Sequence, residues 1–235
     1  MEFCKDGQEV IKMIKVGLQF FGGRGASSGG KSGGVQSGKP NAATEWYVSG
    51  EGMWINQYLR GRGEFSELTT NEKQMLKDLD IATNGKITDK TLYRSVDASA
   101  IFGNMSEGDY ADLSQALIYG KDSFGKGKFA DGIREKIDNR INRTEGKTIT
   151  EKGFMSTTTS AEVAENWMDF TGSEKPVVMK ITTSKNTKGV NLSGYDKNVS
   201  KSEAQHERLL ARNQSYDVKK IYGKNGTIYV DVTMK

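Results

Sequence analysis

Three short segments carry the side chains best suited to chemistry. One predicted strand contains Leu92-Tyr93-Arg94-Ser95, where an arginine has apolar neighbours. A second predicted strand lies within Gly153–Thr158, and a cluster of hydroxyl side chains occupies its end. In the third segment, Gln205–Leu210, Gln205 and Glu207 are expected to share one strand face, because side chains alternate along a strand. Together the segments offer a guanidinium, hydroxyls, an amide and a carboxylate.

The composition excludes several classes of protein and of site. The 235 residues suffice for one domain, or for one domain with a tail. A net charge of +4 argues against a dedicated nucleic-acid binder, and no apolar run approaches the ~20 residues that a membrane span requires. One cysteine, Cys4, and one histidine, His206, exclude an internal disulfide, a cysteine-rich zinc site and a multi-histidine metal site. Chemistry would therefore rest on carboxylates, arginines, hydroxyls and amides.

The middle of the chain is predicted to be helical. The signals are apolar spacing in Glu51–Arg60, a capping box of Thr69 with Glu72, a weaker start at Ser106 with Asp109, and an apolar stripe of Ile133, Ile137 and Ile141. These segments predict a packed helical lobe. A further helix is expected over Ala161–Phe170, with Ser160 as its cap.

Strands are predicted mainly in the second half of the chain. The candidates are Leu92–Val96, Gly153–Thr157, Val177–Thr182, Glu207–Ala211, Tyr216–Tyr222 and Thr227–Thr233. Asn225-Gly226, between the last two, is the strongest hairpin signal in the sequence. Because helices come first and short strands follow without regular alternation, the chain is predicted to be an α+β domain built on antiparallel sheets.

A flexible tail is predicted at residues 1–39, ahead of a folded domain at 40–235. Nine of the 28 glycines lie between Gly17 and Gly38, in a stretch with too few apolar side chains to offset the entropy of ordering it. The residues before this stretch are a poor signal peptide, since charged side chains interrupt every apolar run.

The order of the chemical segments resembles that of a known enzyme class. Arg94, Ser156 and Glu207 each lie on their own predicted strand, and Tyr47 with Ile55–Arg60 (INQYLR) precedes them. The combination, from about Tyr47 onward, resembles the Arg-Ser-Glu class of mono-ADP-ribosyltransferases, which includes the clostridial Rho-modifying exoenzymes. The resemblance implies a catalytic domain over 40–235, with an N-terminal helical lobe, two packed and mainly antiparallel sheets, and NAD in the cleft between lobe and sheets.

The resemblance also implies catalytic roles. Glu207 matches the glutamate that stabilises positive charge on the ribose as the nicotinamide bond breaks, and Ser156 matches the serine that holds this glutamate in place. Gln205 would meet the acceptor.

A second set of residues would bind NAD, which is the substrate; no metal is expected. Arg94 would contact the pyrophosphate through charge-assisted hydrogen bonds, and Arg60 is the second phosphate contact. Ser95 and Thr157 flank these positions. Phe170 has an equal claim to a contact with nicotinamide and to packing on the helix face of Val163 and Trp167.

Each of these residues also has an ordinary structural interpretation. Taken alone, Arg94 is a salt-bridge partner, Ser156–Thr158 is the approach to a helix, and Glu207 is a solvated charge on a strand. His206 is interpreted as a packing or surface residue, and Glu203 offers a competing Glu-x-Gln pattern. The joint order of the motifs favours the catalytic interpretation.

The amide side chain of Gln205 indicates which kind of acceptor group the enzyme modifies. Arginine-modifying members of the class carry glutamate here, and a neutral amide cannot attract a guanidinium by charge. We therefore expect transfer of ADP-ribose to a macromolecule, a host protein or a nucleic acid, at a site other than arginine. The alternatives are an NAD glycohydrolase and a catalytically silent phage structural protein with this fold.

One further resemblance concerns context. The segment Gly17–Gly25 (GLQFFGGRG) resembles an amino-terminal leader of phage and prophage proteins of Gram-positive bacteria. It implies a phage-encoded enzyme, expected to be a monomer, that acts in the cytoplasm of a bacterial host during host takeover. A secreted toxin is the alternative, although no signal peptide is evident.

Overall fold

The computed structural model describes residues 36–49, 54–170, 173–198 and 204–235. The chain divides into two compact units. The first contains the described residues up to Lys86, Lys152–Met155 and the described residues of Lys188–Arg212. The second contains Ile87–Glu151, the described residues of Ser156–Thr187, and Asn213–Lys235. The Gly17–Gly25 segment and most of the predicted tail lie outside the described residues.

Helices and strands follow one another along the chain. The α-helices are α1 (Ala42–Val48), α2 (Ile55–Leu59), α3 (Thr70–Ala82), α4 (Ser99–Phe102), α5 (Glu107–Tyr119), α6 (Lys128–Thr144) and α7 (Ala161–Phe170). The strands are β1 (Thr91–Asp97), β2 (Thr148–Glu151), β3 (Met155–Thr158), β4 (Pro176–Thr182), β5 (Gly189–Asn191), β6 (Glu207–Leu210), β7 (Gln214–Lys224) and β8 (Thr227–Met234). Among the described residues, 3₁₀ turns lie at Phe65–Glu67, Lys121–Phe124 and Ser193–Asn198.

The first unit packs α1–α3 around a shared apolar core. Helix α3 begins at the predicted capping box, where Glu72 N–H donates to Thr69 Oγ1 at 3.2 Å and Thr69 N–H donates to Glu72 Oε2 at 2.8 Å. The buried core includes Tyr47, Ile55, Leu79 and Phe154, with other members Ala43, Leu68, Leu76, Val190, Leu192 and Leu209. Strands β5 and β6 pair antiparallel beside it.

The second unit is built on a sheet with the strand order β2-β7-β8-β4-β1-β3. All neighbouring pairs in it are antiparallel except β4 with β8, which run parallel from Val178 opposite Tyr229 to Thr182 opposite Thr233. The Asn225-Gly226 hairpin is confirmed, since Lys224 pairs with Thr227 and both turn residues have positive φ, 50° and 80°.

Helices cover both faces of this sheet. Helix α7 packs on β1 and β4, where Ala164, Val178 and Tyr229 are buried together. Helix α5 packs on β7 and β8 from the other face, at Gly223. A Cβ at Gly223 would lie 2.2 Å from the carbonyl oxygen of Leu117, so only glycine permits this approach.

The α+β class and the mainly antiparallel pairing agree with the sequence-based expectation. Two details differ. Within the described residues, the structure assigns the eight strands to a single sheet rather than to two. The predicted helical lobe also divides: α1–α3 belong to the first unit, whereas α4–α6 belong to the second, where α5 buries its apolar face on the sheet.

Candidate functional site

Arg94 and Ser95 lie in the middle of β1, but they do not share a face of the sheet. Arg94 is opposite Met179 of β4, and Ser95 is opposite Val178, so the two side chains project to opposite faces. Ser95 is buried, and its Oγ has no hydrogen-bond partner among the described residues. Such a hydroxyl is available to a ligand.

Ser156 and Thr157 lie next to these residues in the second unit. Strand β3 joins β1 through Tyr93 opposite Thr158, and the antiparallel direction takes Thr157 and Ser156 toward Arg94 and Ser95. The alternative interpretation, in which this segment leads into a helix, applies to Thr158 and Ser160. Thr158 Oγ1 accepts from Ser160 N–H at 3.1 Å, and Ser160 Oγ accepts from Val163 N–H at 3.3 Å.

The start of β3 is fixed, within the first unit, by the side chain of Asn56 on α2. Asn56 Oδ1 accepts from Phe154 N–H at 2.8 Å, and its Nδ2 donates to the Phe154 carbonyl at 3.3 Å and to Tyr47 Oη at 2.7 Å. The ring of Tyr47 meets that of Phe154 edge-on at 6.0 Å between centroids. All three residues are buried.

Arg60 follows Asn56 by one helical turn and lies on the same side of α2. Both face Gly153, where a Cβ would lie 2.6 Å from Asn56 Oδ1 and 3.3 Å from Arg60 Nε. Arg60 itself is exposed. The two helix residues thus border the segment that leads to Ser156, and glycine is required at the point of closest approach.

Glu207 is the first residue of β6 and is 5% exposed. Its carbonyl accepts from Leu192 N–H at 3.0 Å, which continues the β5–β6 pairing. The ordinary interpretation expects Glu207 to be a solvated charge, whereas the structure buries it. A buried carboxylate costs free energy unless it is compensated.

The expectation that Gln205 and Glu207 share a strand face is wrong. Strand β6 begins only at Glu207, and His206 before it has a φ of 48°, in the left-handed region. Side chains alternate between the two faces of a strand only where the backbone is extended. The left-handed conformation of His206 interrupts this alternation between Gln205 and Glu207. His206 is exposed, as the surface interpretation expected.

Tyr195 is a neighbour of Glu207 in the first unit that the sequence analysis missed. Its hydroxyl lies 2.9 Å from Thr44 Oγ1, on fully buried Thr44 of α1. Burial raises the pKa of Tyr195 above its usual value, and the negative charges of Glu45 and Glu207 act in the same direction. No local pattern marks Tyr195, because its partners come from distant parts of the chain.

Within each unit the structure brings several of the predicted residues together. Arg94, Ser95, Ser156 and Thr157 lie on adjacent strands of the second unit, whereas the first unit carries Arg60, Gln205 and Glu207. Phe170 is the last residue of α7. Its side chain lies outside the described part, as does Glu203, so both alternatives for Phe170 and the Glu-x-Gln pattern of Glu203 stay predictions.

Neither a metal site nor a membrane span is found in the described ranges. Residues 36–49, 54–170, 173–198 and 204–235 contain no group of three His, Cys, Asp or Glu side chains that would hold a metal ion. No helix within those same residues is long and apolar enough to cross a membrane.

A family of known proteins matches the sequence. The sequence model of the ADP-ribosyltransferase exoenzymes covers residues 25–234. No curated protein sequence matches significantly.

Solved structures share the fold. The ADP-ribosyltransferase C3larvin toxin of Paenibacillus larvae has a TM-score of 0.53 and 22% identity over 84% of this chain and 89% of its own. The C3 exoenzyme of Clostridium limosum has a TM-score of 0.52 and 16% identity over 100% and 97%. The ADP-ribosylating toxin BECa of a binary enterotoxin of C. perfringens, solved with NADH, has a TM-score of 0.52 and 16% identity over 82% and 42%. At these identities the likeness concerns the fold.

Proposed function

Since this chain belongs to the ADP-ribosyltransferase exoenzyme family and is an NAD-dependent ADP-ribosyltransferase, we propose that Glu207, Ser156 and Arg94 carry out its reaction. The nicotinamide–ribose bond of NAD breaks, and ADP-ribose passes to a macromolecular acceptor. The observation that carries the proposal is the burial of Glu207 at the start of β6, within a chain that the family covers from residue 25 to 234.

Glu207 stabilises the positive charge that develops on the ribose ring. A carboxylate is more effective in this role where water is excluded, because the effective dielectric constant is lower there. The 5% exposure of Glu207 supports this assignment. The resemblance to the family gives Ser156 the role of the serine that holds this carboxylate, and it gives Gln205, two residues before Glu207, the role of meeting the acceptor.

Arg94 binds the pyrophosphate of NAD, and Arg60 is a second phosphate contact. Arginine suits the task because its planar fork donates two parallel hydrogen bonds to an anion. Thr157, opposite Arg94 in the pairing of β1 with β3, lies on the same face of the sheet and completes the site. Ser95 projects to the other face, and the support for its own role in binding is its buried Oγ, which lacks a partner in the described residues. Phe170 keeps its two alternatives, a contact with the nicotinamide and packing on the helix face of Val163 and Trp167.

The acceptor is a host protein or a nucleic acid, and the modified group is not arginine. Gln205 supports this, since an amide lacks the charge that would orient a guanidinium. A phage-encoded monomer that acts in the cytoplasm of its bacterial host accords with the Gly17–Gly25 segment. The alternative to this phage-encoded enzyme is a secreted toxin, and two of the structural neighbours are toxins.

Release of nicotinamide from NAD, measured with and without a bacterial lysate, tests the proposal. Glu207→Gln should lower kcat by about 10²–10³, while NAD affinity persists, because the charge acts mainly in the transition state. Glu135→Gln, an exposed position on α6, is the matched control. Release without labelling of any macromolecule would favour the glycohydrolase, and no release at all would favour the catalytically silent protein.

A further inference from the structure

The backbone just before Glu207 takes a conformation that side chains with a Cβ rarely adopt. His206 has a φ of 48°. In the described part of the chain the other non-glycine residues with positive φ are Asn213 and Asn225, and asparagine tolerates this region best. Histidine adopts this region more often than most residues, yet at a cost in free energy that its surroundings must offset.

The neighbours of His206 show what imposes this conformation. Ala204 is 7% exposed and Glu207 is 5% exposed, whereas His206 is exposed. The chain therefore leaves the interior and re-enters it within three residues. The left-handed conformation accomplishes this reversal, and burial of the imidazole does not contribute to it.

Arg208 stabilises the reversal from the other side. Its Nη1 donates to the carbonyl of His206 and to the carbonyl of Glu207, both at 3.1 Å. The Glu207 carbonyl also accepts from Leu192 N–H at 3.0 Å, and Arg208 is opposite Asn191 in the β5–β6 pair. The peptide groups on both sides of Glu207 are thus fixed by a charged donor and by the strand pairing.

We infer that His206 and Arg208 are positioning residues: the left-handed turn at His206, bonded by Arg208, sets the direction in which Glu207 enters β6. The inference rests on the proposed role of Glu207. A carboxylate that shifts with its backbone stabilises the transition state less well, while NAD contacts elsewhere are unchanged. Disturbing the turn should therefore lower kcat and leave KM for NAD nearly constant.

Steady-state release of nicotinamide from NAD in water tests this with a graded series at position 206. Glycine adopts positive φ freely, alanine less so, and a β-branched residue least. His206→Gly should keep at least a third of the wild-type kcat. His206→Ala should lose part of it, and His206→Val should lose on the order of ten- to a hundredfold, because small misplacements of a catalytic group have effects of this size.

Asn225→Val is the matched control. Asn225 has nearly the same φ, 50°, but lies in the β7–β8 hairpin. The control should lower the melting temperature without lowering kcat of the folded fraction. Arg208→Met, which removes the donor and keeps the apolar length, should reproduce the loss of kcat at constant KM. It also tests the inference if His206→Val does not fold.

The outcomes separate the inference from the proposed function. Equal kcat in all variants, or equal losses in His206→Gly and His206→Val, would overturn the inference, the second because the imidazole rather than the backbone would then matter. A wild-type protein that releases no nicotinamide would overturn the proposed function and this inference with it.

Discussion

The carboxamide of Asn56 bonds to both polar groups of the Phe154 backbone, although 98 residues separate the two positions. The oxygen accepts at 2.8 Å and the nitrogen donates at 3.3 Å, as a paired strand would do. Helix α2 thereby substitutes for a strand at the point where β3 begins, two residues before Ser156. Any change at Asn56 should thus affect stability together with the backbone at the start of β3.

Asn56→Ala should destabilise the protein by about 2–4 kcal/mol, because it leaves the N–H and carbonyl of Phe154 buried without partners. Equilibrium unfolding in urea measures the loss. Gln57→Ala, an exposed position on the same helix, should stay within about 0.5 kcal/mol of wild type. Equal stability of the two variants would show that water replaces the amide.

Gly153→Ala should be harmful even though alanine is a small residue. The added Cβ would lie 2.6 Å from Asn56 Oδ1, so the amide must shift and weaken its bonds to Phe154. Gly132→Ala on α6 is the matched control, where nothing lies within 4 Å of the new Cβ. The control should raise stability by about 0.5–1 kcal/mol, since alanine favours helix. Thermal unfolding of the pair measures the contrast, and equal shifts would contradict it.

Arg94→Ala should weaken NAD binding by roughly ten- to a hundredfold, which corresponds to the loss of ~1.5–3 kcal/mol from hydrogen bonds to a charged group. Arg94→Lys should restore only part of the affinity, because lysine lacks the planar fork. Calorimetry in a Glu207→Gln background separates binding from turnover. Unchanged affinity of Arg94→Ala would identify Arg94 as a structural salt-bridge partner.

Gln205→Glu should reduce transfer to the native acceptor and largely keep NAD hydrolysis, because the change concerns the acceptor and leaves Glu207 in place. Mass spectrometry that locates ADP-ribose on the acceptor checks the assignment. Gln57→Glu, which adds the same charge at an exposed position of α2, controls for net charge. ADP-ribose found on arginine with the wild-type enzyme would refute the predicted specificity.

Asp217 should contribute stability at neutral pH that disappears in acid. The hydrogen bond from Thr148, with contributions from Lys235 and Lys219, lowers the pKa of Asp217 to about 2. The unfolded value is about 3.9, so the contribution is complete above that pH and is lost as the pH falls toward 2.

The melting temperature of Asp217→Asn measured against pH checks this. The variant should melt below wild type at pH 7, and the difference should shrink as the pH falls from about 4 through about 2. Asp122→Asn is the control, because Asp122 is exposed and its carboxylate makes no hydrogen bond or ion pair with the described residues. A difference that stays constant across the pH range would contradict the role of the charge.

Features whose causes are local could be predicted from the sequence. Thr69 and Glu72 lie three residues apart and cap each other, and Asn225-Gly226 supplies the two positive φ values of its turn. Strands β2 and β5 escaped prediction. They are short, and their partners β7 and β6 lie farther along the chain, so no local pattern marks them.

The same distinction holds for the site. Arg94 and Ser156 lie on strands that the sequence predicts, as Leu92–Val96 and Gly153–Thr157. The alternation rule does not hold between Gln205 and Glu207, because His206 between them has a φ of 48°, in the left-handed region, although it is not a glycine. One feature of the sequence indicates the hydrogen bonds of Asn56. Asn56 is a polar residue that lies beside Ile55 on a buried helix face, four positions before Arg60.

The position of β8 limits how early the sheet can form during synthesis of the protein. This strand lies between β7 and β4 and supplies hydrogen bonds to both, yet it is made roughly 45 residues after β4. Ribosomes add about 5–20 residues per second. For several seconds, then, the nascent chain exposes the unpaired edge of β4, with Val178 and Ile181, which the finished protein buries completely. A nonsense mutation just before Thr227 would make that exposure permanent and yield an aggregating fragment.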